Sequence, residues 1–385
     1  MAEDVDAVIR SEFPRQRGNR SYFDSDSATL MPDSALRALH SYYERGALSY
    51  ADLSDALRVE KERLAALLGI KRSDSILLCT SVQDAISRVA SALSKTRRRS
   101  ITISAFEHED LVKPWLREMR QRSINIRVVV PKEDCSFSAD SFASAIDEDT
   151  AAVLVSHIAD LFGAKLPIDA ISKAAKESGA PLVVDLTRSC FRVDVSSVLE
   201  VADVAVFPSH NALGPFGLAV CVLGDRMRES LESLPKEERP PAHSYEVRLL
   251  PALGSMNAGL GVLRRIGFDA VRRVELELMK VLFERTSNSE DIAIHGPKDP
   301  NARVGLVCFN IRGLAPEEVG LALEVGAEAV TFCGDLGMPW ARQALKGFDG
   351  SANRLSLYVY NTEEEVKMVS EAIFELKELR MGEAT

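Results

Sequence analysis

The chain has no surplus of positive charge: 47 Lys+Arg stand against 57 Asp+Glu over 385 residues, a formal net charge of −10. That deficit argues against a general nucleic-acid binder, whose affinity rests on neutralising phosphates. There is no apolar run long enough to span a bilayer. The opening MAEDVDAVIRSEF is acidic and helical in pattern, without an apolar signal-peptide core. A cytoplasmic protein that stays off the membrane is expected. Six cysteines lie far apart with no C-x-x-C spacing, several of them inside apolar strand patterns. Buried free thiols are therefore expected, rather than a disulfide framework or a metal site. No internal repeat or low-complexity segment stands out.

What is present is an alternation. Short apolar stretches at 76–79, 101–103, 126–130, 151–157, 182–185 and 204–207 read as strands. Helical patterns at 82–93, 110–121, 138–146 and 167–178 separate them. Continuous apolar strands interleaved with helices predict a mainly parallel sheet covered on both faces. Ligands bind at the carboxyl ends of such strands, where His157, Asp185 and the turn Pro208-Ser209-His210-Asn211 fall. Ser81 and Asp84 stand in N-cap and N3 spacing before the helix at 82–93. After a polar, proline-rich stretch at 235–241, a long helical pattern covers about 267–285. Strand, helix, strand and helix patterns follow at 304–311, 316–323, 354–360 and 363–379. The expected division is a large α/β domain over 18–265, with a small α+β domain made of 1–17 and 266–385.

Several short segments, taken in order, carry a resemblance. They are Tyr22-x-Asp24-Ser25 with Pro32; Glu107-His108 with Pro114-Trp115; His157 with Gly163; Val184-Asp185; His210-Asn211 followed by Gly214-Pro215-Phe216-Gly217; and Arg354-x-Ser356 followed by Tyr360-Asn361-Thr362-Glu363-Glu364. Together they resemble the cysteine desulfurase branch of the class V aminotransferases, which are pyridoxal-phosphate (PLP) enzymes of fold type I. The resemblance covers nearly the whole chain. It implies a large mainly parallel-sheet α/β domain with a smaller α+β C-terminal domain, and PLP as cofactor. It also implies an active site at a dimer interface, hence a homodimer or a heteromer with an active paralogue. By the same resemblance Asp185 takes the place of the carboxylate that pairs with the pyridinium nitrogen, and His108 that of the histidine stacked on the ring. His210 matches a phosphate contact, and Arg354 the guanidinium that clamps a substrate carboxylate. The plainer alternatives are a paired buried carboxylate, a packing side chain, a turn-ordering ring and an ion pair.

The departures from the family pattern gather in one place. Asn211 stands where the family has its Schiff-base lysine, and no lysine occurs between Lys176 and Lys236. Ser81-Val82-Gln83 replaces a phosphate-cradling Gly-Thr-Thr, although backbone N–H groups at the helix start still suit an anion. Asp160 and Arg188 replace the asparagine and glutamine that attend the ring oxygen, Ala51 a histidine and Leu111 an asparagine. The sulfur-accepting cysteine would fall near Leu336; Cys333, three residues away, is expected to be a packing residue.

An amide forms no aldimine, so covalent attachment of PLP is expected to be absent, and two readings follow. One is a non-catalytic or regulatory homologue, a pseudoenzyme in which Arg188 pairs with Asp160 or with Asp185 inside the cofactor site. The other is an enzyme of altered chemistry. It would hold PLP or another small anionic ligand noncovalently through His210, the helix at Val82 and Asp185, with His108 as the base candidate.

Overall fold

The computed structural model describes residues 4–13, 20–46, 49–93, 96–118, 120, 124–133, 135–232, 243–286, 289–345 and 348–383. The proline-rich stretch at 235–241 lies outside them. In chain order the strands are β1 (Ser21–Tyr22), β2 (Ile76–Cys79), β3 (Ser100–Ser104), β4 (Asn125–Val129), β5 (Thr150–Ser156), β6 (Leu182–Asp185) and β7 (Val204–Pro208). They continue with β8 (Ala219–Leu223), β9 (Ile292–His295), β10 (Leu306–Ile311), β11 (Ala329–Val330), β12 (Phe332–Asp335) and β13 (Ser351–Ser356).

A seven-stranded sheet runs in the order β2-β8-β7-β6-β5-β3-β4. Only β8 opposes its neighbours; the remaining pairings are parallel. Every residue of β3, β5, β6, β7 and β8 is buried, as a sheet covered on both faces requires. Alternation along each strand sends Val153, Val155, Val184, Ala205 and Phe207 to one core cluster. The intervening Ala152, Leu154, Val183, Val204 and Val206 go to the other. The sheet therefore separates two apolar layers.

The C-terminal part builds an antiparallel sheet in the order β12-β13-β10-β9. Its apolar face packs on Leu278, Met279 and Leu282 of the Phe268–Thr286 helix and on Val366, Val369 and Ile373. The Leu250–Ile266 helix has buried residues all round its circumference, so no polar face announces it in the sequence. Of residues 1–17, grouped in expectation with the C-terminal unit, the Val5–Glu12 helix packs on this Leu250–Ile266 helix. Glu12 there accepts from Ser34 and pairs with Arg265 at 3.0 Å. No helix among the described residues is long and apolar enough to cross a membrane.

Buried charge joins the parts. Arg192, fully enclosed, pairs with Glu275 on the Phe268–Thr286 helix and with Asp26 at 3.3 Å, and donates to the Leu357 carbonyl at 2.9 Å. Removing one member strands the others without water. Arg192→Met should lower unfolding free energy by ~3–5 kcal/mol, read from the urea midpoint. The same change at exposed Arg58, paired with Glu62 at 2.9 Å, should move the midpoint little.

Candidate functional site

The carboxyl ends of β2, β5, β6 and β7, with the segment after β3, converge on a cleft of about 410 Å³. Eight sequence candidates for cofactor contact line it: Ser81, Gln83, His108, Asp160, Asp185, Arg188, His210 and Asn211. A volume in this range suits a small ligand.

The position expected to correspond to the lysine is fully enclosed. Asn211 is 1% exposed, and its Nδ2 donates to the Asp26 carbonyl at 2.8 Å. Arg188 Nη1 donates to that same carbonyl, while its Nε and Nη2 reach the two Asp160 oxygens at 2.9 and 3.3 Å. Of the two pairings expected for Arg188, the one with Asp160 forms, in fork geometry. It occupies the wall but leaves the cleft open.

Asp185, at the end of β6, accepts the Thr187 backbone N–H at 2.7 Å and the Thr187 hydroxyl. Burial pushes its carboxyl up from the ordinary 3.8 to about 6. His210 stacks on Phe216, ring centres 4.7 Å apart, and its buried Nδ1 has no partner. Burial, then the charge of Arg188, lowers this imidazole to about 4, so it is neutral near pH 7. His108 accepts the Asp110 backbone N–H at Nδ1, 3.1 Å. Its Nε2 lies against Gly337, where a Cβ would not fit.

Ser81 caps its helix as its spacing predicts, Oγ accepting the Asp84 N–H at 3.0 Å. Gln83 Nε2 donates to the Asp110 carboxylate. Arg354 is not brought into the cleft lining. It is 4% exposed, and its Nη2 donates to Asp24 at 3.1 Å and to Ser27 Oγ at 2.7 Å; Ser27 is the residue that lines the cleft. Cys333 does not line it either. Its Sγ packs on Gly320, and burial, then Glu317, hold its thiol above the ordinary value. Leu336 is a core side chain. Sequence reading missed Asp26, Asp110, Thr187 and Phe216 in the lining. Phe216, in the Gly-Pro-x-Gly segment, carried a usable signal; the others carried none.

A mainly parallel, doubly covered sheet with this cleft at its carboxyl edge is the architecture of PLP-dependent transferases of fold type I. The chain is similar to the apo structure of a cysteine desulfurase from Thermococcus onnurineus, with TM-score 0.86 and 22% identity over 98% of this chain and 100% of that one. It is also similar to the cysteine desulfurase CsdA from Escherichia coli, with TM-score 0.84 and 16% identity over 98% and 100%. Residues 21–369 match the family model Aminotransferase class-V, and the chain belongs to that family. Among curated relatives it is 26% identical to a probable cysteine desulfurase of Methanothermobacter thermautotrophicus, over 96% of this chain and 97% of that protein. A probable cysteine desulfurase of Halalkalibacterium halodurans is 24% identical over 93% of each.

PLP is the cofactor that family membership implies, and the side chains present fit it only in part. Asp185 suits a ring nitrogen. At the phosphate end Ser81 Oγ accepts the Asp84 N–H and keeps its own proton to donate, Gln83 is taken by Asp110, and His210 is neutral. At the aldehyde end stands a buried amide. Asn211 offers the aldehyde no amine, and the phosphate end is only partly provided for.

Because the folded Asp185 value lies above the ordinary one, the native state holds this proton more tightly than the unfolded chain. Its contribution to stability falls as pH rises from about 4 through about 6. Asp185→Asn should raise stability at pH 7.5 by up to about 2–3 kcal/mol, and the two urea midpoints should converge toward pH 4. A variant less stable at pH 7.5 would contradict this assignment.

Proposed function

We propose that this chain is a cysteine desulfurase-like class V aminotransferase that has lost the standard PLP reaction. It serves as a non-catalytic or regulatory homologue that keeps an open small-molecule cleft. Asn211 carries the reading: at the lysine position a buried amide is committed to the Asp26 carbonyl at 2.8 Å, and among the described residues no lysine lines the cleft. That lysine would serve as both tether and general base. His108 has its Nδ1 taken up by the Asp110 backbone N–H, which makes it a poor substitute. Cys333, outside the cleft and with its thiol raised, gives no activated sulfur acceptor.

The open cleft and the retained Asp185 favour noncovalent ligand binding as a second reading, with or without turnover. A cytoplasmic homodimer, or a heteromer with an active paralogue, belongs to the same proposal. Light scattering of the purified chain should give twice the chain mass; a single-chain mass would leave only the heteromer.

The central claim is tested by titrating the chain with PLP, reducing with borohydride and weighing the product. No covalent adduct is expected, and any absorbance band should disappear on dialysis. A reduced adduct on a lysine would overturn the loss of the Schiff base.

A further inference from the structure

Four aspartates line the cleft, Asp26, Asp110, Asp160 and Asp185, against one guanidinium, on Arg188; the Asp26 carboxylate itself is fully enclosed. Arg188 is already matched by Asp160 in its two-pronged pair. Arg192 meets one Asp26 oxygen at 3.3 Å, and the other, buried, has no partner. Asp185 forms no ion pair among the described residues. Among the described residues Asp110 has only the His108 ring within ion-pair distance, at 3.6 Å, and that Nδ1 already accepts the Asp110 backbone N–H. Two carboxylates thus face the space without a cation. Asp110 also takes the Gln83 amide at the start of the Val82–Leu93 helix, where the helix dipole would otherwise favour an anion. Aromatic faces are at hand as well: His108, His210 and Phe216 all line the cleft.

We infer that the cleft takes a small unphosphorylated heteroaromatic amine, its cationic nitrogens held by Asp185 and Asp110, in place of a phosphate-bearing cofactor. This rests on the reading of the cleft as a noncovalent ligand site. A cation in this partly enclosed space gains charge-assisted bonds from carboxylates that have no ion-pair partner among the described residues beyond the His108 ring. A phosphate brought to the same end meets Asp110 instead, with no lysine and a neutral His210 to offset the repulsion. Asp110 is therefore the specificity-determining residue, because it stands at the end where the two ligand classes differ.

Isothermal titration of the full chain near pH 7 tests this with pyridoxamine and pyridoxamine 5′-phosphate, which differ only in the phosphate. Pyridoxamine should bind at least tenfold more tightly. Asp110→Asn, at a side chain 42% exposed and so tolerated by the fold, should narrow that ratio by weakening pyridoxamine and strengthening its phosphate ester. A phosphate ester that binds as tightly as pyridoxamine, or a ratio unmoved by Asp110→Asn, overturns the inference while noncovalent ligand binding stands. Binding of neither probe overturns both.

Discussion

The bonds that converge on Asp26 tie three distant parts of the chain into one site. Its carboxylate takes Arg192, from the segment after β6, and the Ser356 hydroxyl at 2.8 Å, from the end of β13. Its carbonyl takes Arg188 and Asn211. Charges this deeply buried persist only when each has a partner. The early loop, the strand ends of the large sheet and the edge of the small sheet must therefore arrive together. In this chain the position of the family lysine belongs to that brace: Asn211 holds a loop.

This arrangement separates motif from chemistry. Gly214 remains because a Cβ there would strike Ser209 Oγ and Met256, and Gly217 because its φ of +88° is left-handed. Gly163, at φ +67°, turns where Val304 and Leu306 press close. Arg354 remains as a buried strut, its charge taken by Asp24 and its guanidinium lying 4.5 Å over the Phe332 ring. Each of these matches a family position for a reason that needs no reaction. Asp185 is different. It sits at 9% exposure with a raised pKa, held by Thr187 and by no ion pair among the described residues.

Much of the fold was legible in the sequence because it is written locally. Strand and helix are separated by the period of their apolar residues, which is why β2, β5 and β6 and the Val82–Leu93 helix fall within a residue of their expected bounds. The Ser81–Asp84 cap is a contact three residues long, visible as spacing. The Leu250–Ile266 helix was not legible, since burial on all sides erases the periodicity that reveals a helix. The short edge strands β9 and β12, four residues each, are too brief to show a pattern of their own.

By itself the sequence determined the family and the doubly covered sheet. It also placed the candidate residues at the carboxyl edge, with no lysine between Lys176 and Lys236. Tertiary structure alone decided who pairs with whom. Arg188 reaches Asp160 across 28 residues and Asp26 across 162, and Arg354 reaches Asp24 across 330. No local period encodes such a choice. Whether an arginine lines a cleft or braces its wall depends on which carboxylate the folded chain brings within 3 Å or so, once water has been excluded.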